Sequence, residues 1–253
     1  MRSRHEVYMD GIALSSIHPS ILITDIAHSP AKKAIMTQQI ANRQGMIVID
    51  SRREEASVAV SFELRVYKAQ QRQEVLQKIQ QWCNGKILET NDREGQRLHV
   101  ICTDEPSMGS VTKWTSPLVV EFSAYEKPFW ENKTYASCSM TGDDEESSLF
   151  VAGNAGYAYA EAVITPSETI TELTVTVGDT TIELDDLSTS DVIKIGYDEH
   201  GNQFIKAGNT SILGNRTPAS SDDLMLMCGK RTAVAVSADK SVSAVIKARG
   251  LWL

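Results

Sequence analysis

Alternating apolar and polar positions dominate this chain and predict β-strands. Val58, Val60 and Phe62 begin one apolar face of the stretch 58–66, whereas Ala59 and Ser61 lie on the other face. The stretch 118–125 alternates in the same way. Runs of this kind, separated by turn residues and without alternating helices, predict antiparallel sheets.

One segment has a helical period instead. Between residues 68 and 83, Val75, Ile79 and Trp82 recur at the spacing of one helix face, and most of the other positions are polar, six of them glutamine. Asn84-Gly85 supplies a C-terminal stop signal. We therefore predict a helix over 68–83 that packs its apolar stripe on a sheet. Its glutamine face is either solvated or a polar contact between subunits.

Turn signals place the remaining strands. Asp10-Gly11 predicts a hairpin between 5–9 and 12–15, and Gly178-Asp179 predicts another in the second half. The further predicted strands are 21–27, 34–40, 46–50, 96–103 and 111–114 in the first half, and 159–163, 172–177, 180–184, 192–197, 203–207, 224–228, 231–237 and 241–248 in the second.

A domain boundary is predicted near residue 131. Pro128 cannot continue a strand ladder, and the adjacent aromatic residues Phe129 and Trp130 can bury a large apolar area at a junction. We expect two domains, 1–131 and 132–253. The predicted fold class is mainly β: an N-terminal sandwich or barrel-like domain with one helix, followed by an antiparallel β-sandwich.

Composition and charge narrow the possible functions. The 253 residues are 42% hydrophobic and 23% charged, which is ordinary for a globular protein. Residues 1–130 contain 16 Lys and Arg against 15 Asp and Glu, and residues 131–253 contain 9 against 18, so the first half is nearly neutral and the second half accounts for the negative net charge of −8. An acidic domain disfavours sequence-specific nucleic-acid binding. No apolar run approaches the roughly 18 residues of a membrane span, and no apolar signal core follows Met1, so we expect a protein made in a cytoplasm.

The sequence carries no recognisable catalytic or metal-binding motif. The patterns GxSxG, HExxH, GxGxxG and the P-loop are absent, and we predict no enzyme activity, cofactor or metal. The acidic run 143–146 lacks the ligand spacing of a calcium loop, so we expect a solvated turn. The cysteines and histidines are widely scattered, which favours reduced, mostly buried thiols and structural imidazoles: Cys83, Cys102, Cys138, Cys228, His5, His18, His28, His99 and His200.

Two stretches resemble the distal tail protein (Dit) family of long-tailed bacteriophages and prophages. They are Tyr8-Met-Asp-Gly-Ile-Ala-Leu14 and Phe122-Ser-Ala-Tyr-Glu-Lys-Pro-Phe-Trp-Glu131, and Gly153-Asn-Ala-Gly156 is a weaker match to the turn that opens the family's C-terminal domain. The residues that carry the resemblance are Tyr8, Asp10, Gly11, Phe122, Ala124, Pro128, Phe129 and Trp130. They are turn and packing residues, so they indicate fold and family and not a reactive site.

The resemblance implies a structural role in the virion at the tip of the tail. Members form a homo-hexameric ring in which the N-terminal domain makes the ring and a galectin-like C-terminal domain projects outward. The implied partners are the tail-tube protein, the tail-associated lysin or hub protein and, on the outer domains, a receptor-binding protein, with a channel left for DNA. The chain is similar to the short form of the family, without inserted carbohydrate-binding modules. Whether it serves an infectious phage, a prophage or a tail-like particle stays open.

The alternative function is a carbohydrate-binding, lectin-like module for the host cell wall. Sugar rings stack on exposed aromatic side chains. The aromatic residues of the second half are Tyr135, Phe150, Tyr157, Tyr159, Tyr197, Phe204 and Trp252. Most of them fall within strand patterns, so we expect most to belong to the core.

Overall fold

A computed structural model describes residues 5–39, 46–104, 106, 116–198 and 201–253. Contacts within the chain group it into two compact units that meet in sequence between Trp130 and Glu131, with Leu253 grouped with the first unit. The predicted strand 111–114 and His200 lie outside the described residues.

The first unit contains ten strands and two helices among its described residues. The strands are β1 (Val7–Met9), β2 (Ile12–Ala13), β3 (Ile21–Ser29), β4 (Lys33–Gln39), β5 (Met46–Arg53), β6 (Ala56–Leu64), β7 (Ile87–Thr90), β8 (Gln96–His99), β9 (Ile101–Asp104) and β10 (Ser116–Ala124), and the helices are α1 (Leu14–Ile17) and α2 (Ala69–Cys83).

The core of the first unit lies on one face of a four-stranded antiparallel sheet with the order β3-β6-β10-β9. Val60 of β6 lies opposite Val120 of β10, and Phe62 lies opposite Leu118. These four side chains are almost fully buried. The predicted alternation of residues 58–66 is therefore confirmed, although the strand begins and ends two residues earlier.

Helix α2 connects this sheet to the N-terminal hairpin. It buries Val75, Ile79 and Trp82, as its apolar stripe predicts. The Trp82 Nε1–H donates a 2.7 Å hydrogen bond to the carbonyl of Ile12. The same indole ring meets Phe122 edge to face, with ring centroids 6.0 Å apart. One side chain thus ties the N-terminal hairpin to strand β10.

The predicted strand over 12–15 is wrong beyond Ala13. Leu14 begins α1 and is fully buried. The carboxylate of Glu6 accepts hydrogen bonds from the backbone N–H and the hydroxyl of Ser15. These hydrogen bonds hold Ser15 in the short helix α1, so residues 14 and 15 do not continue the strand that their sequence pattern predicts.

The second unit consists mainly of antiparallel strands. They are β11 (Trp130–Phe150), β12 (Tyr157–Pro166), β13 (Leu173–Val177), β14 (Thr180–Leu184), β15 (Ile193–Tyr197), β16 (Gln203–Ala207), β17 (Thr210–Ser211), β18 (Met225–Met227) and β19 (Arg231–Trp252), with a 3-10 helix at Leu213–Asn215. The mainly β fold class predicted for the chain is confirmed.

Strand β19 connects two groups of strands. Its residues 234–238 pair with β13, and its residues 242–248 pair with β12. Strand β12 also pairs with β15, which continues the sheet through β16 to β17. Apolar side chains from both groups form one continuous core, in which Ile164, Val175 and Ile246 are fully buried. This single core explains why the unit needs no long helix.

Two sequence predictions for this unit are wrong. Residues 231–237 and 241–248 form one strand with an exposed segment at residues 239–241, not two strands. The acidic run 143–146 lies within β11 and not in a turn. Its side chains are all exposed, so this part of β11 buries no face that would give a period-two apolar signal.

We expect Trp82→Phe to lower the free energy of unfolding by about 1–3 kcal/mol, because the substitution keeps an aromatic ring near Phe122 but leaves the Ile12 carbonyl without its donor. Denaturant unfolding followed by circular dichroism measures this difference. Tyr125→Phe, at an exposed tyrosine, is the control and should change stability by less than about 0.5 kcal/mol. A Trp82→Phe protein as stable as wild type would show that the indole hydrogen bond contributes nothing.

Candidate assembly site

The first motif forms a tight turn that is bound to a neighbouring strand. Asp10 and Gly11 join β1 to β2 and both have positive φ, 49° and 79°. Two successive residues of this kind are typical of a type I′ hairpin turn. The Asp10 carboxylate accepts backbone hydrogen bonds from Lys86 at 3.2 Å and Ile87 at 3.0 Å. Tyr8 pairs with Ala13 and Glu89 in the same sheet.

The second motif ends the first unit with packed aromatic residues. Phe122 and Ala124 are buried in β10, Pro128 is buried, and Phe129 is partly buried. Trp130, which is 3% exposed, contacts the edge of His28 at a centroid distance of 5.4 Å. The guanidinium carbon of Arg93 lies 5.0 Å from the centroid of the Trp130 ring.

The His28 side chain that packs on Trp130 is itself paired with Asp92. His28 Nε2 lies 2.7 Å from Asp92 Oδ2. Burial alone would raise the pKa of Asp92, but its hydrogen bonds and the charge of His28 hold that pKa below the ordinary value of 3.8. The pair therefore favours an ionised carboxylate beside the histidine that packs on Trp130.

The structure connects the two motifs through α2. Trp82 bonds to Ile12, next to Gly11, and packs on Phe122. Trp130 lies in a separate cluster with His28 and Arg93. The motif residues therefore fix turns and packing.

Among the described residues of the first unit, the hairpin formed by β4 and β5 carries a group of exposed apolar side chains. Its six large apolar residues are 38–68% exposed: Ile35, Met36, Met46, Ile47, Val48 and Ile49. Among the described residues, β4 and β5 pair only with each other. Successive side chains of β5 point to opposite faces, so Met46 and Val48 lie on one face of the hairpin and Ile47 and Ile49 on the other. An isolated two-stranded hairpin is marginally stable in water, and exposed apolar residues on both of its faces indicate an interaction surface. We call these six residues the apolar hairpin.

The sequence predicts the two strands of the apolar hairpin but not their exposure. Met46 to Ile49 are four consecutive apolar residues without polar alternation. Such a run is typical of a strand buried on both faces. In the structure all four of these residues are exposed. The apolar run therefore marks an exposed surface and not a strand of the core.

The described residues offer little chemistry besides packing. No group of three or more His, Cys, Asp or Glu among them is arranged to hold a metal ion. The four cysteines are thiols and not disulfides, and burial raises the thiol pKa of Cys138 and Cys228, which makes them less reactive at neutral pH. No helix in the described part of the chain is long and apolar enough to cross a membrane.

The fold is that of known phage tail proteins. The chain is similar to SPP1 Dit, a crystal structure described as a paradigm of the hub adsorption apparatus in phages that infect Gram-positive bacteria, with a TM-score of 0.72 at 10% identity over 97% of this chain and 98% of that one. It is also similar to a chain of the phage p2 baseplate in its activated, Sr-bound conformation, with a TM-score of 0.51 at 10% identity and 97% coverage of both chains. The sequence matches no family model and no curated protein. The resemblance to the Dit family that the motifs indicate is confirmed at the level of the fold.

We expect Gly11→Ala to destabilise the protein by about 1 kcal/mol, because a Cβ is unfavourable at its φ of 79° although no atom lies within 4 Å of it. Gly214→Ala is the control: its Cβ also meets open space, and its φ is not positive. Thermal or denaturant unfolding compares the two variants. Equal effects at both glycines would show that the backbone conformation at Gly11 is not the cause.

We expect the stabilising effect of Asp92 to disappear in acid. Because the pKa of Asp92 is lower in the folded protein, its contribution is present above the ordinary aspartate pKa and is lost as pH falls through the folded value. Wild type should therefore be more stable than Asp92→Asn at about pH 7, and this difference should shrink by about pH 3. Asp143→Asn, exposed on β11, is the control. A difference that does not change with pH would contradict the ion-pair explanation.

Proposed function

We propose that this protein is a distal tail hub protein of a long-tailed phage or prophage. The observation that carries the proposal is the similarity to SPP1 Dit, which extends over 97% of this chain. A likeness along the whole chain supports the same two-domain arrangement better than one shared domain would. On this proposal the protein is a structural part of the virion tail tip and has no enzymatic role.

The ring would be a homo-hexamer assembled through the first domain. A closed ring repeats one heterologous contact, so each subunit must offer two different surfaces that fit each other. The apolar hairpin supports one of them, since Met36, Met46 and Val48 are each at least 58% exposed. Burying apolar area stabilises a contact by about 25 cal/mol per Å² before the cost of association.

The channel and the partners follow from the same proposal. The ring would join the tail-tube protein to the tail-associated lysin or hub protein and would leave a passage for DNA, while a receptor-binding protein would attach to the galectin-like second domain. Residues 1–130 contain nearly equal numbers of cationic and anionic side chains, 16 and 15. This balance supports a ring that does not retain DNA, because a strongly basic domain would bind its phosphates.

Native mass spectrometry of the purified protein tests this assembly. We expect a species of six subunits, or two such rings stacked, for the wild type. Val48→Asp should shift the protein to monomers, because a carboxylate at a buried apolar contact loses its hydration without gaining a partner. Leu213→Asp introduces the same charge at a residue of the second unit that is 44% exposed, and it should leave the assembly intact. A wild type that stays monomeric at high concentration, or a Val48→Asp hexamer as stable as the wild type, would refute the proposed contact.

A further inference from the structure

One face of the second unit combines positive charge with aromatic side chains. On β12, Ala160, Ala162 and Ile164 point into the core, which leaves the residues between them on the outside. The neighbouring strands β11, β19, β15 and β16 continue this outer face. We call it the basic face, and it consists of Lys133, Tyr135, Tyr159, Glu161, Lys194, Phe204, Lys206, Lys247 and Arg249.

The charge of the basic face is opposite to that of its domain. Residues 131–253 contain nine Lys and Arg and eighteen Asp and Glu. Five of the nine cations lie on this face, whereas Glu161 and the neighbouring Glu131 are its carboxylates. Positive charge concentrated on one side of an acidic domain attracts anions to that side.

The centre of the basic face is held in place by contacts among its own residues. The Tyr135 hydroxyl donates a 2.9 Å hydrogen bond to Glu161, whose other carboxylate oxygen lies 3.1 Å from the Lys247 amine. The Lys247 amine and the Arg249 guanidinium lie 4.4 Å and 3.9 Å from the centroid of the Tyr135 ring. The Arg249 guanidinium also donates to the carbonyls of Asn132 and Lys133. These side chains are thus ordered before any ligand binds, which lowers the entropic cost of binding.

Aromatic rings extend the face on both sides of this centre. Tyr135 is 37% exposed and Tyr159 is 51% exposed. On the far side, the Phe204 ring lies against Gly196, where a Cβ would come within 2.9 Å of it. Gly196 of β15 lies opposite Phe204 of β16. Because Ile195 pairs with Ala162 of β12, Gly196 also lies beside Glu161 of β12. Three strand spacings, about 14 Å, separate β19 from β16 along this row, which is an elongated surface.

These exposures overturn an expectation from the sequence. Most aromatic residues of the second half were expected in the core, yet Tyr135, Phe150, Tyr157 and Tyr159 are exposed. Tyr159 and Tyr197 form a ring pair with centroids 4.7 Å apart. In β12 the small alanines at 158, 160 and 162 fill the core, so the tyrosines alternate outward.

We propose that the basic face binds an anionic polysaccharide. The ring of Tyr159, which is 51% exposed, supplies a stacking surface for a sugar ring, and the lysines and Arg249 supply partners for the carboxylate or phosphate groups of such a chain. Glu161 accepts hydrogen bonds and, at this position, also orients Tyr135 and Lys247. A neutral sugar would not use the positive charge of this face, and an acidic peptide would not use the aromatic platform. This proposal does not depend on the hub function, because it concerns the second unit alone.

Binding of oligogalacturonate to the full-length chain, measured by calorimetry, tests the proposal. We expect saturable binding that weakens as salt concentration rises, since Lys133, Lys194 and Lys206 are exposed to solvent. Lys194→Glu combined with Lys206→Glu should weaken binding by about tenfold or more, because each exposed charge pair is worth up to about fivefold and reversal adds repulsion. Tyr159→Ser should weaken it by several-fold through lost stacking, without changing the salt dependence. Lys240→Glu, at an exposed position of β19 outside the basic face, is the control and should bind as wild type does.

Two further probes decide what kind of ligand the face fits. Maltohexaose presents sugar rings without charge, and poly-L-glutamate presents charge without sugar rings; both should bind much more weakly than oligogalacturonate. Equal binding of poly-L-glutamate would overturn the proposal in favour of an acidic protein partner. Absence of oligogalacturonate binding, or binding that none of the three substitutions on the face weakens, would also overturn it. Circular dichroism spectra matching the wild type would exclude misfolding of the variants.

Discussion

The exposed apolar hairpin sets the main constraint on this protein. Ile35, Met36 and Met46 to Ile49 remain accessible to solvent, whereas the alternating residues of β6 and β10 are almost completely buried. The hydrophobic effect makes such a surface costly for a free subunit and favours burial against another protein. A ring of identical subunits removes that cost repeatedly with one kind of contact. The proposed hub function therefore begins from a surface that one chain cannot bury by itself.

Turn hydrogen bonds and aromatic contacts hold the rest of the first unit together. The Asp10-Gly11 turn is hydrogen-bonded to the beginning of β7, and Trp82 connects the N-terminal hairpin to Phe122. At the end of the unit, His28 and Arg93 surround Trp130. In the second unit, by contrast, the ordered side chains around Tyr135 lie on the surface, where they are available to a ligand. The exposed apolar hairpin thus belongs to the first unit, and the basic face belongs to the second.

Much of the fold can be predicted from the sequence, because burial on one face gives a clear period. The strands around β6, the helix α2 and the hairpin at Gly178-Asp179 follow this rule. The prediction fails where both faces of a strand are exposed. The acidic part of β11 has no apolar period, and the run from Met46 to Ile49 has the pattern of a strand that is buried on both faces. Likewise, a pattern of alternation does not tell which of its two faces is buried. The sequence therefore places the tyrosines of β12 in the core, whereas the structure exposes them. The motif residues indicate the fold, but the surfaces that would bind partners carry no motif.

Electron cryo-microscopy of the assembled protein shows directly whether the apolar hairpin joins the subunits into a ring. We expect a closed ring with six copies around one axis, in which the apolar hairpin of each subunit is buried against its neighbour. A monomer, an open filament or a ring in which Met36, Met46 and Val48 remain exposed to solvent would contradict it.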